Sequence, residues 1–128
     1  MRALLDTSTF LWAVGQRTRL SETGRAILDD DQNELYFSAV SAWEIAVKHA
    51  KGQLDLLEDP ATFVQARINA LALQPLVITV EHALRAGTLP ASHRDPFDRM
   101  LIAQSQIEAL PIITSDGRIA RYDVETIW

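Results

Sequence analysis

Short apolar runs alternate along the chain with stretches whose apolar positions recur at helical spacing, and the junctions carry start and stop residues. Arg2-Ala3-Leu4-Leu5 reads as a short buried strand ending at Asp6. A brief helix is expected over 9–15, and Ser21 caps another that runs to about Leu28. The run Asp29-Asp30-Asp31-Gln32-Asn33 is a solvated loop. Leu35-Tyr36-Phe37-Ser38-Ala39 has strand composition, and Ser41 opens a helix to Lys51 that Gly52 stops.

In the second half, Asp59-Pro60 is a cap followed by proline at the first helical position, starting a helix to about Leu73. Its Phe63, Ile68, Leu71 and Ala72 form a core face along which the Arg67 stem lies. Leu76-Val77-Ile78-Thr79 is the third expected strand, followed by a short helix over 80–87 and a loop over 88–94. Asp95-Pro96 repeats the cap-and-proline start, opening a helix to about Ala109. Pro111-Ile112-Ile113-Thr114 is a fourth strand and 124–127 a fifth. Strands alternating with helices imply an α/β architecture, a parallel sheet covered on both faces, and one domain over 1–128. In such sheets ligands bind beyond the carboxyl ends of the strands.

Composition narrows the chemistry. With 128 residues, 48% of them hydrophobic, the chain is long enough for a real core, and its lack of cysteine excludes disulfides, thiol catalysis and cysteine metal sites. The longest apolar run is five residues, Phe10 to Val14, too short to span a membrane. Asp6 interrupts the N-terminal stretch before a signal peptide could form, so a cytoplasmic address is expected. The formal net charge of -5 argues against binding nucleic acid through bulk charge.

Placement of the acids revises that inference. Asp6 directly follows the first strand, and Asp116 follows the fourth within two residues. Glu44 lies in the first turn expected of the helix after the second strand, and Asp98 in the first turn of the helix before the fourth. Each has a structural explanation. Asp6 can simply terminate a strand, and Glu44 can complete a capping box with Ser41. Asp95 is best read as a cap; Asp98 can be a first-turn acid suiting the helix dipole, although that acid is optional once a cap exists, and Asp116 before Gly117 fits a turn. If the four instead converge, their repulsion calls for a cation, and an oxygen-only ligand set without cysteine or paired histidines selects Mg2+ or Mn2+. Such ions act chiefly on phosphate. The four acids make up four of the five excess negative charges, which bound ions would offset. The histidines are weaker candidates: His49, late in a helix beside Lys48 and Lys51, suits the helix dipole, His82 has no partner at ligand spacing, and His93 reads as a surface-loop residue or a phosphate contact.

Four stretches together resemble the acidic motifs of PIN-domain nucleases. They are Leu4-Leu5-Asp6-Thr7-Ser8, the segment from Ser38 to Ala46 around Glu44, the segment from Asp95 to Gln104, and Ile113-Thr114-Ser115-Asp116. The order and spacing are similar to VapC-type toxins, in the branch carrying His-x-Asp-Pro-Phe-Asp-Arg. The resemblance implies a three-layer α/β/α fold with sheet order 3-2-1-4-5. It implies a Mg2+-dependent endoribonuclease (Mn2+ as substitute) that leaves 5′-phosphate and 3′-hydroxyl ends. Asp6, Glu44, Asp98 and Asp116 would be catalytic acids and metal ligands. Thr7 and Ser115 would hydrogen-bond the acids or waters, Asp95 would be a supporting acid or only a cap, and Arg94 and Arg99, flanking the site, would contact RNA or be ordinary surface arginines. A VapB-like antitoxin and a homodimer are implied partners.

Three rival readings come from other classes. A phosphoaspartyl phosphatase wants a second Asp two positions after the first, where this chain has Ser8, and a receiver-like domain wants a Lys that 111–116 do not supply. A catalytically silent PIN-like scaffold is disfavoured by four intact acids, although Phe10, Leu11, Trp12 and Trp43 suit either a core or a partner surface.

Overall fold

The computed structural model describes all of residues 1–128. Five strands form one parallel sheet: β1 (Arg2–Leu5), β2 (Glu34–Ser38), β3 (Gln74–Leu76), β4 (Ile112–Ile113) and β5 (Thr126–Ile127), in the order β3-β2-β1-β4-β5. Six helices surround it: α1 (Thr7–Gly15), α2 (Glu22–Asp29), α3 (Ala39–Ala50), α4 (Pro60–Ala70), α5 (Val80–Thr88) and α6 (Pro96–Glu108). This is the three-layer arrangement and strand order expected.

The period-two alternation of strand side chains divides the core between the two faces of the sheet. Ala3, Leu5, Leu35, Phe37 and Ile113 point to one face, where Phe10, Phe63, Val64 and Ile68 from α1 and α4 cover them. Leu4 and Ile112 point to the other, packed by Leu101 and Ile102 of α6 with Ile119 and Tyr122. A strand buried on both faces needs continuous apolar sequence, and Ala3, Leu4 and Leu5 are all fully buried.

Helix starts follow local chemistry. Ser21, Asp59 and Asp95 cap α2, α4 and α6 as expected, with proline at the first position of the last two. Several boundaries differ from expectation: α1 begins at Thr7 rather than at residue 9, because Asp6 caps it, and α4 ends at Ala70 rather than at about Leu73. Helix α3 begins at Ala39, because Ser38 at the end of β2 accepts the Val40 N–H and caps it; Ser41 is therefore inside the helix and forms no box with Glu44. Strand β3 lies two residues earlier than the apolar run 76–79, because it pairs Gln74, Pro75 and Leu76 with Tyr36, Phe37 and Ser38, leaving Val77 and Ile78 exposed. No helix is long and apolar enough to cross a membrane.

The chain leaves β1 toward β2 on one side, whereas β4 lies on its other side. The crevice beyond the carboxyl ends of β1 and β4 is thus the place this topology reserves for a ligand.

Candidate active site

Asp6 emerges from β1 into that crevice and caps α1. Its Oδ1 accepts the Thr9 N–H at 2.8 Å and its Oδ2 accepts the Thr114 hydroxyl at 2.5 Å. Thr114, the residue after β4, also accepts the Asp116 N–H at 3.0 Å, so one hydroxyl ties the acids at the two strand ends together. Burial raises the pKa of Asp6 against the lowering by its two threonine donors, with nearby Asp116 adding to the rise.

Glu44 arrives from the second turn of α3 and is buried. Its Oε2 accepts from Lys48 Nζ, one helical turn on, while its Oε1 is buried with no hydrogen-bond partner. Asp98 sits in the first turn of α6, with Oδ2 at 2.7 Å from His93 Nε2. Burial pushes the Asp98 pKa up to about 6; the His93 hydrogen bond opposes the rise, and the charges of Asp95 and Glu44 reinforce it. Asp95 caps α6 through the Phe97 and Asp98 N–H groups and faces the same crevice. Asp116 receives Arg118 in a fork, Nε to Oδ1 at 3.1 Å and Nη2 to Oδ2 at 3.0 Å, which lowers its pKa.

These side chains line one cavity of about 280 Å³: Asp6, Thr7, Ser8, Glu44, Lys48, Asp95, Asp98, Ser115, Asp116 and Arg118, with no hydrophobic residue among them. The four acids picked out in the sequence are therefore brought together, and Asp95 joins them while also serving as a cap. Potential ligand atoms of His93, Asp98 and Asp116 lie within 4.8 Å of one another. Five carboxylates face two cations, with an orphaned buried oxygen on Glu44. That oxygen-rich, undercompensated set fits a hard divalent cation.

Of the supporting residues, Thr7 and Ser115 line the cavity. Thr7 donates its hydroxyl to Ser41 Oγ at 2.8 Å rather than to an acid, and it is Thr114, not Ser115, whose side chain bonds Asp6 and Asp116. His93 is buried rather than on an open loop, because its N–H donates to Tyr122 Oη at 2.8 Å and its ring bonds Asp98. Arg99 directs its guanidinium to the carbonyls of Ala86, Leu89, Pro90 and His93, fastening the loop before α6 instead of facing the cavity. Arg94 is exposed and does not line the cavity. His82 accepts the Thr79 N–H on Nδ1 and lies 3.2 Å from Glu108 on Nε2, a structural role at the start of α5. Of the early aromatics, Phe10 is core, whereas Trp43 is exposed beside Phe97.

The family model described as PIN domain matches residues 3–125. The chain belongs to the PIN domain family. This PIN domain is 41% identical over 59 residues to Ribonuclease VapC16 of Mycobacterium tuberculosis, a match covering 46% of this chain and 40% of that protein. The chain thus matches less than half the length of that curated relative. Among solved structures, the PIN domain is similar to VapBC2 from Rickettsia felis, described as bound to a DNA fragment from their promoter, with TM-score 0.69, 11% identity and coverage of 99% and 98% of the two chains. FitAcB from Neisseria gonorrhoeae superposes with TM-score 0.66 and 21% identity over 100% and 97% of the chains. VapBC-5 of M. tuberculosis, described as a member of the VapBC family of toxin-antitoxin systems, does so with TM-score 0.62 and 21% identity over 98% and 97%. At these identities the likeness concerns the fold.

Proposed function

We propose that this PIN domain is a Mg2+-dependent endoribonuclease of the VapC type, a toxin that hydrolyses RNA phosphodiester bonds and is neutralised by a VapB-like antitoxin. The observation carrying the reading is the convergence of Asp6, Glu44, Asp98 and Asp116 on a wholly polar cavity where Glu44 Oε1 is buried without a partner. The name of the M. tuberculosis relative supports the nuclease activity, and the VapBC neighbours support the antitoxin. A homodimer and a cytoplasmic location belong to the same reading.

Mg2+, with Mn2+ as substitute, would be held by Asp6, Glu44, Asp98 and Asp116 and would supply Lewis acidity and charge neutralisation at the scissile phosphate. The protein's own part is to hold each carboxylate in place before substrate arrives. Thr9 and Thr114 orient Asp6 and His93 orients Asp98, while in the ion-free protein Lys48 and Arg118 serve as counter-ions to Glu44 and Asp116. Groups fixed beforehand need no reorganisation as charge develops. Hydrolysis leaves a 5′-phosphate and a 3′-hydroxyl.

The test is cleavage of total RNA with end mapping, in Mg2+ and in chelator. Asp6→Asn and Asp98→Asn are expected to lower cleavage by at least about 100-fold, the scale seen when a charge-stabilising group is removed, while keeping a cooperative melt. Near-normal cleavage by both variants, or undiminished wild-type cleavage in chelator, refutes the assignment.

A further inference from the structure

Two cations line the acidic cavity, Lys48 and Arg118, and the carboxylate chemistry leaves both without a role beyond that of counter-ion. Their placement is asymmetric. Arg118, just past β4, engages both oxygens of Asp116, at 3.1 and 3.0 Å, so no oxygen of that carboxylate is without a cationic donor. Lys48 takes Glu44 Oε2 alone and leaves Oε1 orphaned. The anionic ends are sheltered and the cationic ends are not: side-chain exposure is 7% for Glu44 and 23% for Asp116, against 43% for Lys48 and 61% for Arg118.

A divalent cation entering this cavity is repelled by an ammonium and a guanidinium already seated on two of its carboxylates. In each pair the cationic end is solvated and can leave once a divalent cation supplies the sheltered carboxylate with a stronger partner. Lys and Arg have long flexible stems anchored at the rim, and once displaced their charges remain beside the cavity. An incoming group that attracts both is a polyanion, and phosphate matches the Arg fork in particular.

We propose that Lys48 and Arg118 exchange partners: in the ion-free protein they neutralise Glu44 and Asp116, and when a divalent cation takes those carboxylates they turn to phosphates of the bound RNA strand. Metal loading thereby releases the residues that grip substrate, whereas in the ion-free site both cations are held on carboxylates. The proposal rests on the nuclease reading and assigns Lys48 and Arg118 to substrate binding.

Full-length wild type, Arg118→Gln and Lys48→Gln are compared in two assays. Mn2+ binding is measured without RNA by the electron paramagnetic resonance of free Mn2+. KM, kcat and their salt dependence are measured on a single-stranded RNA oligonucleotide carrying a site mapped from cleaved total RNA. Each variant is expected to bind Mn2+ about two- to fivefold tighter, having lost a weak competing ion pair. Each is expected to raise KM severalfold with a smaller change in kcat, and to lower the salt slope of binding by about 0.7, the value of one single-strand phosphate contact. The opposite signs separate this from misfolding, which weakens both. Unchanged KM and salt slope in both variants of a cleaving protein, or Mn2+ affinity that is unchanged or weaker, overturns the exchange alone. A wild-type protein that binds Mn2+ but cuts no RNA overturns the nuclease reading and the exchange with it.

Discussion

Replacing Asp98 by Asn is expected to stabilise the ion-free protein at neutral pH even as it removes a carboxylate from the proposed centre. Asp98 is pushed up to about 6 by burial, with Asp95 and Glu44 adding repulsion that the His93 hydrogen bond only partly offsets. Its carboxyl is therefore held protonated in the folded chain to a higher pH than in the unfolded one, whose value is near 3.8. The difference corresponds to at most about 3 kcal/mol. Because the side chain is 15% exposed, solvent relaxation reduces it, and about 1–3 kcal/mol is expected. The sign follows from proton linkage: the folded state binds more protons between about pH 4 and 6, so stability from this group is complete below about 4 and lost as pH rises through about 6. Asn carries no such charge and can still hydrogen-bond His93 Nε2. Urea unfolding of both proteins in chelator, from pH 4.5 to 7.5, measures the difference directly. The variant's relative stability should rise across that window by about 1–3 kcal/mol. Saturating Mg2+ should stabilise the wild type and do less for the variant. A difference that stays flat with pH, or moves the other way, refutes the claim that Asp98 is held at a charge penalty.

Three other changes probe the scaffold of the site. Thr114→Val removes the hydroxyl that donates to Asp6 and accepts from Asp116 N–H, and should cost about 1–3 kcal/mol in urea unfolding together with a fall in kcat. Arg99→Lys cannot reach the carbonyls of Ala86, Leu89, Pro90 and His93 at once; a loss of about 1–2 kcal/mol is expected, with faster amide exchange in the loop before α6. Phe37→Ala opens the core beside Phe10, whose ring lies 4.5 Å away, and should cost about 3–5 kcal/mol while leaving Mn2+ affinity of the folded fraction unchanged.

The sequence by itself determined the features that depend on neighbours in the chain. Leu4-Leu5-Asp6 is a strand ending in an acid because a strand buried on both faces must be continuously apolar and must stop where a charge begins. Asp59-Pro60 and Asp95-Pro96 specify helix starts through their own caps and fixed proline geometry. The alternation of these elements was enough for the parallel sheet, and that sheet placed Asp6 and Asp116 at its carboxyl edge. Lys48 too was within reach, since Glu44 and Lys48 are one helical turn apart.

Tertiary structure decided the rest, because it depends on pairs far apart in the chain. Strand β3 took its register from β2 rather than from its own most apolar residues. Ser38 capped α3 because β2 ends there, which placed Glu44 in the second turn and buried it. Thr114 reaches Asp6 across 108 positions, and His93 is buried because Tyr122, 29 positions later, receives its N–H. No local pattern distinguishes an arginine that fastens carbonyls, such as Arg99, from one that forks a carboxylate, such as Arg118. Whether an acid is a cap, a ligand candidate or both is likewise set by what the fold brings within a few ångströms of it, and Asp95 is both a cap and a wall of the acidic cavity.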